Sequence, residues 1–133
     1  MKLNPDCIRA FLMTIEDITD GKTELGLPWQ LFSDIESSPF LEGFTLEEIE
    51  YHARQCDHHG YFIGCNIPDD ASRIYLVDLS PKAHEFLANV RDRKNWEKTK
   101  MVAGSVKSFS LKALQKIASS IIEAAIKSHF ENT

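Results

Sequence analysis

The stretch from Thr45 to Phe62, TLEEIEYHARQCDHHGYF, gathers the side chains best suited to chemistry: His52, Cys56, His58 and His59, with Cys65 close behind. Imidazole and thiolate are zinc ligands, and His52 and Cys56, four residues apart on a helix, share a face as two ligands of one ion must. That face is also the one Ile49 and Ala53 turn inward. His58 and His59 point in different directions, and no paired CxxC or HxxxH accompanies them. The expectation is a buried cysteine, a packed histidine and histidines at a helix end, where an imidazolium suits the dipole, with no metal site.

Nothing places a nucleophile beside a base. The chain lacks a GxSxG elbow, a phosphate-cradling Gly-rich loop and an HExxH pair, and Glu47, Glu48 and Glu50 are explained by the helix dipole and by solubility. No catalytic residue and no cofactor is expected, and the chain reads as a non-enzyme.

Two further groups carry binding rather than reaction chemistry. Arg91, Arg93, Lys94, Lys98, Lys100 and Lys107 surround Trp96, opposed by Asp92 and Glu97. Cations meet phosphates and an indole stacks on bases, so this segment is the candidate nucleic-acid contact; the plainer alternative is a solvated helix face with Trp96 in the core. Leu111, Leu114, Ala118, Ile121 and Ala125 alternate spacings of three and four, and Ile117, Ile122 and Ile126 widen the stripe into too broad an apolar face for a helix alone in water. It must pack on the body of the protein or on a second chain. A dimer is the favoured expectation, because a body whose core is closed by the preceding elements leaves this helix no groove in its own chain, and because Lys112, Lys116 and Lys127 match the acidic first part of the chain.

These groups need elements to hold them. Asn4-Pro5-Asp6 starts a helix over residues 5 to about 18, with Ile8, Phe11, Leu12, Ile15 and Ile18 on its buried face. Residues 21–44 are broken by Gly and Pro, with a short strand near 29–33 and a turn of helix near 37–42. Thr45 and Glu48 form a reciprocal capping box for the helix over 45–59, and Gly60 ends it. YFIGCNI and RIYLVDL, separated by PDDAS, read as a hairpin pairing residues near 61–67 with residues near 73–79. Ile74, Leu76 and Asp78 share one face of the second run, with Tyr75, Val77 and Leu79 on the other. Ser80-Pro81 opens another helix with Ala83, Phe86, Leu87 and Val90 inward, residues 104–109 break the chain, and Ser110 caps a last helix.

At 133 residues with 43% hydrophobic and 26% charged side chains, the chain supports one ordinary core. The organisation read from it is a domain over 1–90, followed by the basic segment and C-terminal helix over 91–133. Residues 1–80 hold 5 Lys/Arg and 15 Asp/Glu, net -10, whereas residues 81–133 hold 10 and 5, net +5. The two ends therefore generate fields of opposite sign. Cys7, Cys56 and Cys65 have no framework spacing and fit reduced thiols. No apolar run suits a bilayer and MKLNPDCIRA lacks a leader pattern, so the expectation is a cytoplasmic protein with no membrane partner.

Helix, loop, capped helix running into GYF, hairpin, then LSPKAHEFL resembles a winged-helix domain. MKLNPDCIR, EEIEYH, LSPKAHEFLANVRD and SFSLKALQKIAS, in this order, resemble an uncharacterised family of small phage- and prophage-carried proteins, catalogued as a domain of unknown function. The resemblance implies a mainly α, α+β winged helix-turn-helix with a β-hairpin wing and a C-terminal helical extension, in the cytoplasm of a bacterial host. It supplies no ligand or catalytic residues. One feature departs from winged helices that read duplex: the helix in the reading position carries Arg54 against Glu47, Glu48, Glu50 and Asp57, so phosphate attraction must come from elsewhere. The function expected is an accessory protein-interaction module, a homodimer or a binder of a host protein. The alternative is a DNA-binding transcriptional regulator that makes weak phosphate contacts through residues 91–107.

Overall fold

The computed structural model describes residues 1–27, 38–66 and 74–132. The strand expected near 29–33 and the hairpin tip PDDAS lie outside the described residues. The chain is α+β and mainly helical, and it divides into two compact units, Met1–His84 and Glu85–Thr133. The first holds 6 Lys/Arg against 15 Asp/Glu, net -9, and the second 9 against 5, net +4. Among the described residues no helix is long and apolar enough to cross a membrane.

In the first unit, helix α1 (Pro5–Ile18) begins where the Asn4 side chain accepts the backbone N–H groups of Asp6 and Cys7. Cys7, Ile8, Phe11, Leu12 and Ile15 are fully buried on one face. A short 3-10 turn (Pro39–Leu41) and helix α2 (Leu46–His58) pack against it. Thr45 and Glu48 make both bonds of the capping box, at 3.1 and 3.2 Å. At the other end of α2 the Tyr61 N–H returns to the Cys56 carbonyl and the Gly60 N–H to that of Asp57, closing a Schellman motif with Gly60 at φ 80°. Residue 60 is glycine because a Cβ disfavours that backbone.

Strands β1 (Leu25–Leu27), β2 (Phe62–Ile63), β3 (Ile74–Leu76) and β4 (Asp78–Leu79) form two antiparallel ladders. β1 pairs with β3, Leu25 opposite Leu76, and β2 pairs with β4, Phe62 opposite Leu79. A further bridge between Asn66 and Tyr75 keeps the register of the second ladder, so the hairpin expected between YFIGCNI and RIYLVDL is present. The simple alternation along it is not. Ile74, Leu76 and Leu79 are all buried, and the phase slips after Leu76, where Val77 meets Gly64. Gly64 has φ 65°, and a Cβ there would stand 2.6 Å from Val77 Cγ2. Phe62 puts its ring edge-on to Phe11, 5.9 Å between centroids, which joins the hairpin to the core of α1.

Helix α3 (Pro81–Val90) starts at Ser80, whose Oγ accepts the Ala83 N–H at 3.2 Å and donates to the Gly60 carbonyl at 2.7 Å. In the second unit, Asp92 caps α4 (Arg93–Val106) and Ser110 caps α5 (Leu111–Glu131). The break expected over residues 104–109 comes later than read. Gly104 stays inside α4, and the chain turns at Lys107, in the left-handed region at φ 58°. The Ser108 N–H then closes on the Ala103 carbonyl, so a lysine holds the place glycine usually takes. The short connection makes α4 and α5 antiparallel neighbours, and Leu111, Leu114 and Ala118 are buried in their seam with Trp96, Thr99 and Ala103.

Gly60 and Gly64 differ in a measurable way. Gly60→Ala meets open space and is expected to cost about 1 kcal/mol for the backbone alone. Gly64→Ala must also displace Val77 and is expected to cost about 1–3 kcal/mol more. Conversely, Lys107→Gly is expected to stabilise the fold by up to about 1 kcal/mol. Urea unfolding of the three variants checks the order; equal losses for the two alanines would contradict the close approach at Val77.

Candidate functional site

His52 and Cys56 of α2 sit among packed side chains and hydrogen bonds of the first unit. His52 is buried, its Nε2 accepts the Asn4 backbone N–H at 2.7 Å, and its Nδ1 lies 2.6 Å from the Glu48 carbonyl. One nitrogen accepts and the other donates, which defines the neutral ring with its proton on Nδ1. Both nitrogens are thereby occupied. Burial, then the Glu48 charge, pushes the Cys7 thiol up to about 12. Burial, then a hydrogen bond to the Asp57 carboxylate, pushes Cys65 up to about 12. Cys56 is raised as well, chiefly by burial. Raised in this way, the three groups favour the thiol over the thiolate near neutral pH. His58 is exposed, and His59 lies edge-on to the buried Tyr61, 4.9 Å between ring centroids. Among the described residues no three His, Cys, Asp or Glu side chains gather as a metal site would require.

A second polar group went unnoticed in the sequence. Thr19 donates to Asp78 Oδ1 at 3.2 Å, and His84 Nε2 stands 3.7 Å from the same oxygen. The Leu79 N–H also donates to it, at 2.7 Å. Asp78 thus ties the end of α1 to the start of α3. The group positions elements, with the Thr19 hydroxyl and the His84 ring both turned to the Asp78 carboxylate.

The six candidate cations do not form one patch. Arg91, Arg93, Lys94, Lys98 and Lys107 are exposed, while Lys100 is half-buried, 3.3 Å from Glu97 and 5.8 Å from the Trp96 ring centroid. Arg93 and Lys107 lie at opposite ends of α4, about 20 Å apart at the rise of an α-helix. Trp96 is 2% exposed and edge-on to Phe86, so its indole belongs to the core and is not offered for stacking on a base.

The stripe on α5 divides by position. Leu111 and Leu114 are covered within the unit by α4; Ile117, Ile121 and Ile122 are half-exposed, and Ala125 and Ile126 are exposed. The expectation that this helix finds no groove in its own chain is corrected for its first half, because α4 supplies one. Beside that seam runs an open groove of about 380 Å³ lined by Val102, Ile117, Ile121 and Ala124, with Lys116 and Ser120 at its edge. Val102, Ser120 and Ala124 were not among the residues singled out from sequence, and Lys116 was singled out only for its charge. The available signal was the small residue at the seam position three after Ile121. This groove is the site the geometry supports best.

The model of the family described as Hypothetical protein (DUF2513) matches residues 2–110, and the chain belongs to that family. No curated protein matches the chain, and no solved structure does. Helix α5 lies beyond the matched residues, whereas everything from α1 through α4 lies within them.

The His52 geometry makes two predictions. His52→Ala leaves the Asn4 N–H and the Glu48 carbonyl to find new partners and removes a buried ring, so it is expected to destabilise the fold by about 2–4 kcal/mol. A loss below about 0.5 kcal/mol in urea unfolding would contradict the double hydrogen bond. With thiol pKa values raised, the thiolate fraction near neutral pH is far below that of an unfolded cysteine. Alkylation of the native protein at pH 8 should therefore be slow and should complete on denaturation. Chelator should leave the melting temperature unchanged.

Proposed function

Taking membership of that family as the premise, we propose that the chain is a phage- or prophage-carried accessory protein, a protein-interaction module on a winged-helix body in the cytoplasm of a bacterial host, without enzymatic activity. The phage setting rests on the resemblance of its segments. The winged-helix reading is supported by the order α1, β1, α2, hairpin, and by β1 pairing back onto the second half of that hairpin. α2 then stands where a reading helix would.

The observation that carries the interaction role is the open groove on α4 and α5, walled by aliphatic side chains. Nucleic acid has little to place there, because its outer surface is charged phosphate and sugar. A protein helix has an apolar face to offer. The charge of α2 points the same way. Glu47 is exposed, Glu48 and Glu50 are half-exposed, and Arg54 lies 3.2 Å from Glu50, so approach to duplex would set carboxylates against phosphates.

The second reading, a DNA-binding regulator, is favoured by one observation: Arg93, Lys94 and Lys98 are exposed on a single helix of the positively charged unit. Retention on heparin and on duplex DNA as a function of salt separates the two. The expected result is weak, sequence-indifferent retention that falls steeply with salt and vanishes when those three residues are neutralised. Tight selective binding to one duplex, lost in Arg54→Ala or Gln55→Ala, would overturn the interaction-module reading in favour of base reading by α2.

A further inference from the structure

The groove runs along a face of α5 on which Ile117, Ile121, Ala124 and Ser128 recur at spacings of four, three and four. That is the seam one helix presents to another. Size falls along it, with two isoleucines at the N-terminal end and an alanine and a serine at the C-terminal end. A helix that fills this groove must be small where α5 is large and large where α5 is small.

We infer that the occupant is α5 of a second copy, lying antiparallel about a two-fold axis between Ile121 and Ala124. In that arrangement Ile117 faces Ser128 of the second copy and Ile121 faces its Ala124, so every pair holds one large and one small side chain. Parallel pairing would set isoleucine on isoleucine at one end and leave a gap at the other. Charge agrees with the antiparallel sense. Lys116, at the groove's edge, comes within about one helical turn of the second copy's Glu131, which in its own chain lies only 4.0 Å from Lys127 on an exposed surface. Val102 of α4, 37% exposed, forms the wall the incoming helix meets. The contact is isologous, so it closes at two chains and offers no edge for further growth.

This rests on the reading of the chain as an interaction module and names its partner as another copy of itself. Sedimentation velocity over a wide range of concentration tests it with three variants of the full chain. Wild type is expected to pass from monomer to dimer. Ile121→Ala should leave a gap and Ala124→Ile should overfill, each weakening association at least about tenfold. The double variant should recover to within about threefold of wild type, because each pair again holds one large and one small residue. Thermal melts at a concentration where wild type is monomeric, unchanged in the variants, keep loss of folding apart from loss of pairing, since Ala124 is exposed and Ile121 is not fully covered in its own chain. A wild type that stays monomeric throughout overturns the inference, as does a double variant no better than the weaker single. If the chain is monomeric yet Ile121→Glu abolishes binding of a purified host protein, the inference falls while the interaction-module reading stands.

Discussion

Helix α5 has 21 residues and the helix that covers it, α4, has 14. Seven residues of helix are about 10 Å, roughly two turns for which α4 has no counterpart. The consequence is visible in burial. Leu111, Leu114 and Ala118 are covered, while from Ser119 onward no side chain of α5 is fully buried. Apolar side chains left in water forgo about 1.5–3 kcal/mol each relative to full burial, a large sum for a small domain. The functional reading of the second unit follows from this mismatch in length.

The first unit is held by different means. Its helices and hairpin meet through apolar faces, but their ends are fixed by polar contacts between segments distant in sequence. His52 joins the start of α1 to α2 across 48 residues, Asp78 joins the end of α1 to the start of α3, and Ser80 joins α3 to the end of α2. Among the described residues no buried side-chain N or O lacks a hydrogen-bond partner. Satisfied networks of this kind favour one arrangement of helix ends over its neighbours, because a slipped alternative would strand a buried donor. The histidine that looked most like a metal ligand serves in this way as a structural link.

What the sequence made legible is what is decided locally. Asn4, Thr45 with Glu48, Ser80 and Ser110 cap helices where expected, because a cap needs only a side chain within three residues of its donor. The hairpin was legible for the same reason. Contacts fixed by distant packing were not. Nothing in the period of residues 25–27 announces pairing with residues 74–76, and the inward face of α2 does not say that His52 will find Asn4. Gly104 signalled a break that packing overrode, and the turn fell on Lys107. For the groove, the apolar stripe was legible but its division was not, since how far α4 reaches along α5 depends on where that break falls.

The central claim is that the apolar face of α5 is covered by a second copy of the chain. Amide hydrogen exchange of residues 117–131, compared between dilute and concentrated samples, tests it most directly because it reports helix by helix. Coverage predicts that exchange in this segment slows as concentration rises, while α1 and α2 keep their rates. Identical exchange in residues 117–131 at both concentrations would contradict it.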